Sequence, residues 1–268
     1  MKEGKKVLFI TQEMFPYLPE SNMANICRYM PQFVQESGNE MRAFMPKFGC
    51  INERRNMLHE VIRLSGMNII INDTDHPLII KVASIQSARM QIYFIDNEDY
   101  FKRKATTTDE NNNLFDDNDE RTIFFARGVI ETVKKLRWKP DIVHCHGWMT
   151  SLIPLYLKHA YNEDPYFSDC KIITSLYEDN FDGNLEGNLK EKILLKGIKK
   201  SDIKAIEKDS SYQSLIKLAL SHSDGAIFTS ENISDEIKNY TNELGLKTLT
   251  CTKEEDYKDD YLQFYNEI

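Results

Sequence analysis

The sequence predicts an α/β fold built on a doubly wound, mainly parallel sheet. Short apolar runs that suit buried strands alternate along the chain with stretches of helical periodicity. Prolines and glycines stand at the boundaries between these runs. A segment of paired β patterns at residues 57–96 interrupts the alternation. We therefore expect residues 1–268 to form one domain with right-handed crossovers and a β-hairpin elaboration.

The first strand pattern is the apolar run at residues 7–11, which is typical of a central strand buried on both faces. A loop with two prolines follows, and either Ser21 or Asn22 is placed to cap the next helix. Pro31 is expected to begin a second helical segment, which Gly38 ends. These signals predict the strand, loop and helix that open a parallel sheet.

Residues 57–96 carry paired strand patterns instead of helices, after a strand pattern at 40–45. Runs rich in Ile and Val occur at residues 59–64, 67–71, 78–82 and 90–95. Turn residues separate these runs, so we predict antiparallel strands and hairpins inserted into the parallel fold. Asn97 then caps a short helix, and the polar stretch 103–113 predicts a mobile loop.

The second half of the chain returns to alternating helices and strands. Apolar residues at helical spacing across 119–137 predict a helix with one face in the core. Strand patterns follow at residues 142–145, 171–176, 225–229 and 248–252. Helical patterns lie at residues 151–158, at 214–219, and from a cap at Ser230 or Asn232 to Leu244. The C-terminal tail, residues 253–268, either packs back on the body as a helix or frays.

The stretch PDIVHCHGWMT, residues 140–150, reads as a strand, a tight turn and the start of a helix. In open parallel sheets, ligands bind beyond the carboxyl ends of such strands. His144 and His146 fall at that edge. Because side chains alternate along a strand, both imidazoles should lie on one face of the sheet and Cys145 on the other.

Three interpretations of these histidines stay open. Two imidazoles at i and i+2 can share a zinc ion, but the sequence places no third ligand, and we expect no metal site. A histidine at the carboxyl end of a strand can instead donate a hydrogen bond to a sugar or a phosphate. The third interpretation is a structural histidine satisfied by the backbone. We take His146 as the candidate pocket residue because it lies nearer the turn.

Acidic residues gather at three places along the predicted edge. Glu13 follows the first strand, Glu178 and Asp179 follow the strand at 171–176, and a cluster at 116–120 precedes a helix. Helix capping explains the cluster equally well, and a lone acid after a strand is often only solvated. Carboxylates from several strand ends would suit a hydroxyl-rich ligand, because they accept hydrogen bonds from neighbouring hydroxyls.

Composition and charge exclude several classes of protein. With 34 Lys and Arg against 42 Asp and Glu, the formal net charge is −8, which argues against nucleic-acid binding. No apolar run is long enough to span a bilayer and the N-terminus lacks a signal-peptide pattern, so we expect no membrane partner. Five widely spaced cysteines without a C-x-x-C pair indicate reduced thiols and a cytoplasmic location.

Five long segments, taken in order, resemble one protein family. They are VLFITQEMFPY (7–17), FMPKFG (44–49), IYFIDNEDYFKR (92–103), DNDERTIFFARG (117–128) and PDIVHCHGWMTSLIPLYLK (140–158). Together these segments resemble the N-terminal domain of bacterial glycogen and starch synthases, which are retaining glucosyltransferases of the GT-B architecture. The resemblance implies a single Rossmann-like GT-B lobe that takes part in glucosyl transfer from ADP-glucose or UDP-glucose to an α-1,4-glucan. No other cofactor is implied.

The resemblance also implies roles for residues that match the family motifs. His146 would contact the transferred sugar, and Glu13 and Asp117 would contact glucan hydroxyls. Trp148 and Thr150 also stand at matching positions and are taken as substrate-binding residues. These roles are implied by the resemblance alone.

The first loop departs from the family. The family has K-T-G-G-L-G-D where this chain has PESNMAN, so the lysine becomes Pro19, the two glycines become Ser21 and Asn22, and the aspartate becomes Asn25. Larger side chains obstruct the close approach of backbone to phosphate that paired glycines allow. We therefore interpret this stretch as a degenerate donor loop.

The central motif departs as well, because Gly147 replaces an aspartate, Met149 a histidine, and Tyr177 and Glu178 a His-Asn pair. The family's second GT-B domain, which holds most of the donor nucleotide, has no counterpart in these 268 residues. We expect a glycosyltransferase half that is inactive alone and that needs a separate donor-domain protein. The alternative is a non-catalytic module that binds glucan or an oligosaccharide, or regulates glycogen metabolism.

Overall fold

The computed structural model describes residues 4–185, 187–251 and 257–268. Within those residues the strands form one open ten-stranded sheet. The strands are β1 (Lys6–Thr11), β2 (Glu40–Pro46), β3 (His59–Glu60), β4 (Met67–Ile71), β5 (Thr74–Ile85), β6 (Met90–Asp96), β7 (Ile142–His146), β8 (Lys171–Leu176), β9 (Gly225–Phe228) and β10 (Lys247–Thr250). Their order is β10-β9-β8-β7-β1-β2-β6-β5-β3, with β4 paired to β5.

Helical segments connect the strands. The α-helices are α1 (Asn22–Glu36), α2 (Glu98–Phe101), α3 (Asn118–Lys135), α4 (Leu152–Leu155), α5 (Leu189–Lys192), α6 (Tyr212–Ser221), α7 (Asp235–Glu243) and α8 (Tyr257–Glu267). Shorter 3-10 segments occupy Gln86–Ala88, Trp148–Thr150 and Lys200–Ile206, and a π-helix occupies Tyr156–Ala160. The predicted helix at 151–158 is therefore α-helical only in its first half.

The predicted fold class is confirmed. All neighbouring strands from β10 to β6 pair in parallel. β1 lies between β2 and β7, so the chain builds outward from β1 first on one side and then on the other. Every residue of β7, and all of β1 except its first, is buried, as continuous apolar runs predict. The point where the order reverses, between β1 and β7, is where open α/β sheets bind ligands.

The 57–96 segment differs from its prediction at both ends. The strand predicted at 59–64 is only the two residues of β3, while the strand predicted at 78–82 extends to the twelve residues of β5. β4 and β5 form a hairpin in which Asn72 and Asp73 both adopt positive φ, as a tight two-residue turn requires. β6 pairs in parallel with β2, so the last strand of this segment belongs to the parallel sheet.

The prediction of a separate helix starting at Pro31 is wrong. α1 runs without a break through Pro31, which is buried inside it. An interior proline removes one backbone hydrogen bond. The buried face of α1 continues on both sides of the proline, from Met23 and Cys27 to Val34, so packing offsets that loss. Ser21 is the residue that caps α1, because its hydroxyl accepts a hydrogen bond from the Ala24 N–H at 2.9 Å.

The predicted cap of the helix after β9 is also wrong. α7 starts after Ser234, whose side chain accepts from the Ile237 N–H. Ser230 and Asn232 are instead engaged by the Glu178 carboxylate, to which both side chains donate. The helix cap therefore lies four residues after Ser230, the first candidate.

The C-terminal tail packs on the body as a helix, which decides between the two predictions for it. Tyr257, Tyr261 and Tyr265 recur at four-residue spacing in α8 and are all buried. Residues 252–256 lie outside the described part of the chain, so the predicted strand end and the start of the predicted tail are not covered. Among the described residues, no helix is both long enough and apolar enough to cross a bilayer.

Candidate functional site

The carboxyl ends of the central strands meet at the reversal point of the sheet. The strand register places Thr11 beside His146 and His146 beside Ser175. The loop after β1 and the 3-10 turn after β7 close around this point, since the Gln12 N–H donates to the His146 carbonyl at 3.0 Å. This carboxyl edge is where the motif residues converge.

His144 is fully enclosed by the protein. Its ring lies 3.9 Å from that of His146, on the same face of β7, as side-chain alternation predicts. Its Nδ1 forms a hydrogen bond with the Tyr265 hydroxyl at 2.6 Å, and its Nε2 forms one with the Ser175 hydroxyl at 2.7 Å. Burial, assisted by the neighbouring His146, holds the pKa of His144 well below its usual value. Both nitrogens are satisfied, so His144 acts as a structural residue.

His146 differs from His144 in having one ring nitrogen unpartnered. Its Nδ1 forms a hydrogen bond with the Tyr177 hydroxyl at 2.8 Å, and its ring stacks on Phe9 at a centroid distance of 6.0 Å. Its Nε2 is buried and has no hydrogen-bond partner within the described chain. Burial lowers the pKa of His146 to about 3, so the ring is neutral near pH 7. A neutral, oriented imidazole with a free nitrogen can hydrogen-bond a ligand hydroxyl.

Gly147 lies where any larger residue would force neighbouring side chains to move. Its φ is +85°, and an added Cβ would lie 2.8 Å from the Gln12 Cβ and 3.0 Å from the Met23 sulfur. The Gln12 side chain also accepts a hydrogen bond from the Met149 N–H at 3.1 Å. The aspartate that the resembled family carries here would therefore collide with the loop after β1.

Trp148 and Thr150 are buried in the turn after β7. Thr150 donates through its hydroxyl to the Gly147 carbonyl at 2.7 Å, which closes the turn. The Trp148 N–H donates to Asp179 at 3.0 Å, and its ring meets Phe181 edge-on at 5.0 Å. The two side chains are only 2% and 1% exposed, and both pack within the turn; their substrate-binding role stays a prediction.

Asp179 links the turn after β7 to the loop after β8. It is partly buried, and besides the Trp148 N–H it accepts a hydrogen bond from the Tyr212 hydroxyl at 2.8 Å. Burial raises the pKa of the Asp179 carboxyl to about 6. A small cavity of about 210 Å³ lies beside this loop, lined by Tyr177, Tyr212 and Asn232 among others. That is below the roughly 300–1,000 Å³ of drug-sized ligand sites, so the cavity suits a group no larger than a sugar ring.

The loop interpreted as a degenerate donor loop forms hydrogen bonds within the chain. The Ser21 hydroxyl donates to the Glu13 carboxylate at 2.7 Å while it caps α1. The Asn22 amide donates to the Thr229 carbonyl at 3.2 Å, which connects the loop to the end of β9. Pro19 is exposed and Asn25 is partly buried. Glu13 and the loop thus hold each other at the N-terminus of α1.

Asp117 lies at the start of α3, away from this loop. It forms an ion pair with Arg103 at 2.5 Å and makes no side-chain capping bond. The fully buried Asp119 beside it is paired with Lys192 at 2.7 Å, and burial raises the pKa of Asp119. Lys192 also pairs with Glu120 at 2.7 Å, so one lysine lies between two of the four acids of this cluster. The Asp117 side chain thus forms an ion pair and does not cap α3, and its contact with glucan stays a prediction.

Several residues of the site were not found by sequence reasoning. Ser175, Tyr265 and Gln12 hold the histidines or the turn, and Met23 packs against Gly147. The four-residue spacing of tyrosines in the tail was the one available signal for Tyr265. Within residues 4–185, 187–251 and 257–268, no group of three or more His, Cys, Asp or Glu residues is arranged to hold a metal ion.

Comparisons with known proteins agree on one family. Residues 6–250 match the family model described as "Starch synthase catalytic domain". The glycogen synthase of Chlorobium limicola is 36% identical over 233 residues, covering 87% of this chain and 47% of that protein. The glycogen synthase of Chlorobium luteolum is also 36% identical, over 237 residues. The chain spans about half the length of the curated relatives it matches.

One solved structure shares the fold. It is the catalytic domain of Starch Synthase IV from Arabidopsis thaliana bound to ADP and acarbose, with a TM-score of 0.72. The match covers 92% of this chain and 51% of that one, at 16% sequence identity. At that identity the likeness shows the architecture only.

Proposed function

This chain belongs to the starch synthase catalytic domain family, and from that premise we propose that it forms the acceptor-side lobe of a glucosyl-transfer site. The chain is a glycosyltransferase domain of the glycogen and starch synthase type. The proposed reaction is transfer of glucose from ADP-glucose or UDP-glucose to an α-1,4-glucan. The five cysteines are all free, which supports the proposed cytoplasmic location.

The observation that carries this proposal is the unpartnered Nε2 of His146. Buried polar atoms are nearly always hydrogen-bonded. This atom is one of nine unpartnered buried side-chain atoms in the described chain, and its place at the carboxyl end of β7 supports a partner that is supplied on binding. Tyr177 fixes the opposite nitrogen and hence the orientation of the ring. The proposed partner is a hydroxyl of the glucosyl unit, which a neutral imidazole can bind without a charge penalty.

We also propose that the described residues hold the donor diphosphate poorly. The Ser21 hydroxyl already donates a hydrogen bond to the Glu13 carboxylate. Pro19 has no positive charge at the position where the family's lysine would bind phosphate. The Glu13 carboxylate held by Ser21 would repel a diphosphate at the N-terminus of α1. The proposed consequence is that this chain alone does not transfer glucose. A separate donor-binding domain would supply the contacts to the diphosphate.

A second candidate function is a non-catalytic module that binds glucan or regulates glycogen metabolism. Two contacts favour it: Tyr177 fills the space beside His146, and Gln12 and Met23 close the space beside Gly147. Both would narrow a site for a transferred sugar. The two functions differ in whether glucose is incorporated once a donor-binding domain is added to the chain.

A transfer assay on the purified chain tests the proposed loss of the donor grip. Purified chain would be incubated with glycogen and radiolabelled ADP-glucose or UDP-glucose, and ADP binding would be measured by calorimetry. We expect neither incorporation nor ADP binding for the wild type, and measurable ADP binding for the P19K/S21G/N22G variant. The matched control is P19A/S21A/N22A, which changes the same positions without adding the lysine or the glycines. Transfer by the wild-type chain would contradict the proposed loss of the donor grip.

A further inference from the structure

A large cleft lies at the opposite edge of the sheet from the candidate site. It has a volume of about 920 Å³ and is formed near the amino ends of β2 and β6, at the C-terminal end of α3 and beside α1. We call it the amino-edge cleft, and its charged lining residues are Glu40, Arg42, Arg63, Arg89, Lys135 and Arg137. None of these residues takes part in the proposed glucosyl transfer.

The amino-edge cleft is strongly basic in an acidic protein. Its described lining carries five basic side chains and a single acid, whereas the whole chain has a net charge of −8. The acid, Glu40, accepts a hydrogen bond from the Trp138 indole N–H at 2.9 Å and pairs with none of the five cations. A concave site with one sign of charge concentrates ligands of the opposite sign.

Three of the arginines are free to meet a ligand. Arg63, Arg89 and Arg137 are exposed and form no ion pair or side-chain hydrogen bond with any described residue. Arg42 is held in place, because its guanidinium lies 5.2 Å from the Trp138 ring centroid and donates to the Tyr93 hydroxyl at 2.9 Å. The cleft therefore presents one fixed and three unpaired guanidinium groups.

The neighbouring cleft along the same edge is different. It also borders Glu40, but three of its four lysines have side-chain partners. Lys139 pairs with Asp169 at 2.6 Å, Lys5 donates to the Tyr265 carbonyl at 2.5 Å, and Lys171 pairs with Asp224 at 3.9 Å. Unpaired positive charge is thus concentrated in the amino-edge cleft and does not extend along the whole sheet edge.

The backbone at two of the arginines adds an independent observation. Arg89 (φ +53°) ends a 3-10 turn and Arg137 (φ +51°) follows the last turn of α3. Glycine or asparagine adopts this left-handed conformation with less strain than arginine. Both positions nevertheless carry arginine, and both line the same cleft. The turn conformation does not favour arginine at these two positions. A role for the guanidinium groups in the cleft accounts for arginine there.

We propose that the amino-edge cleft binds a small molecule that carries two or more phosphate groups. Planar guanidinium groups bind phosphate oxygens in pairs, and several separate arginines require more than one anionic group on the ligand. The volume falls within the range of small-molecule sites, and a concave surface of this kind does not fit a flat membrane. The site is separate from the carboxyl edge.

Calorimetric titration with tripolyphosphate tests this proposal, in low-salt buffer free of phosphate. We expect saturable binding of one tripolyphosphate per chain. The R89N/R137N variant should lose at least about tenfold in affinity, since two charge-assisted contacts disappear. Asparagine tolerates positive φ, so this variant should keep or raise the unfolding midpoint. The R54N/R55N control removes two exposed arginines beyond the carboxyl end of β2, and it should change affinity by less than about twofold.

Three results would overturn the proposal. They are no saturable binding to the wild type, equal losses in the two double variants, and tighter binding of a polyglutamate peptide than of tripolyphosphate. Glycogen in a native gel should retard R89N/R137N and the wild type equally. A loss of tripolyphosphate binding can then be distinguished from a failure of the proposed glucan-binding function.

Discussion

His146 keeps one ring nitrogen bonded to Tyr177 and the other without a partner in the described chain. Its neighbour His144, two residues earlier, has both nitrogens bonded. Two residues of the same type on the same strand face thus differ in hydrogen bonding: both are buried, but only His146 keeps a ring nitrogen without a partner. At this scale, hydrogen bonding rather than position along the strand separates the two roles.

The low pKa of His146 makes folding depend on pH. The folded-state pKa of about 3 lies below the unfolded value of about 6.5, so the unfolded state binds the proton more readily. The contribution of the neutral His146 to the free energy of unfolding is therefore complete above pH 6.5. It falls as the pH drops below 6.5, because the unfolded chain then gains a proton that the folded chain does not. His146→Gln has no imidazole to protonate and should not show this loss. As the pH is lowered from 6.5 to 5, the free energy of unfolding of the variant should therefore rise relative to that of the wild type by up to about 2 kcal/mol.

Urea unfolding at several pH values measures this difference. Comparing the variant with the wild type cancels the contribution of Asp179, whose raised pKa acts in the opposite direction. Parallel stability curves for the two proteins across this pH range would show that His146 is not buried in its neutral form.

Gly147→Ala tests the packing of the turn. The added methyl group meets Gln12 and Met23 in addition to the backbone strain at φ +85°, so we expect a loss of about 2–4 kcal/mol in unfolding free energy. Gly66→Ala is the matched control, because Gly66 has the same φ and nothing within 4 Å of an added Cβ. The control should lose only about 1–2 kcal/mol. Equal losses in urea unfolding would mean that Gln12 and Met23 do not restrict this position.

Two elements close the site from opposite directions. The loop that leads into α1 is fixed to Glu13 and to the end of β9, and α8 places Tyr265 against His144. α8 is therefore part of the core around the central strand rather than an appendage. Its fully buried Tyr261 is among the largest enclosed side chains.

Tyr261→Ala should destabilise the protein by about 3–5 kcal/mol, the usual range for removing a buried aromatic side chain. Gln263→Ala, on the exposed side of the same helix, should change stability by less than about 0.5 kcal/mol. Thermal or urea unfolding of both variants measures the difference. A small effect of Tyr261→Ala would show that α8 is detached from the sheet in solution.

At the scale of the whole molecule, the sequence predicted the architecture better than the site. Parallel strands such as β1, β7 and β8 are buried on both faces, so their continuous apolar runs mark them directly. Contacts such as His144 with Tyr265 join residues 121 positions apart, and no local pattern specifies them. Burial of Trp148 and Thr150 likewise depends on elements distant in the sequence. Helix starts were misplaced where a competing partner, such as Glu178, engaged the expected cap.

Glycogen affinity in native gels tests the central claim, that the free nitrogen of His146 binds a hydroxyl of a glucosyl unit, which glycogen supplies in this assay. Mobility would be compared in gels with and without glycogen for the wild type, His146→Gln and the control His59→Gln, which changes an exposed histidine of β3. The account predicts that glycogen retards the wild type and His59→Gln equally and retards His146→Gln much less. No retardation of the wild type, or equal retardation of all three proteins, would contradict it.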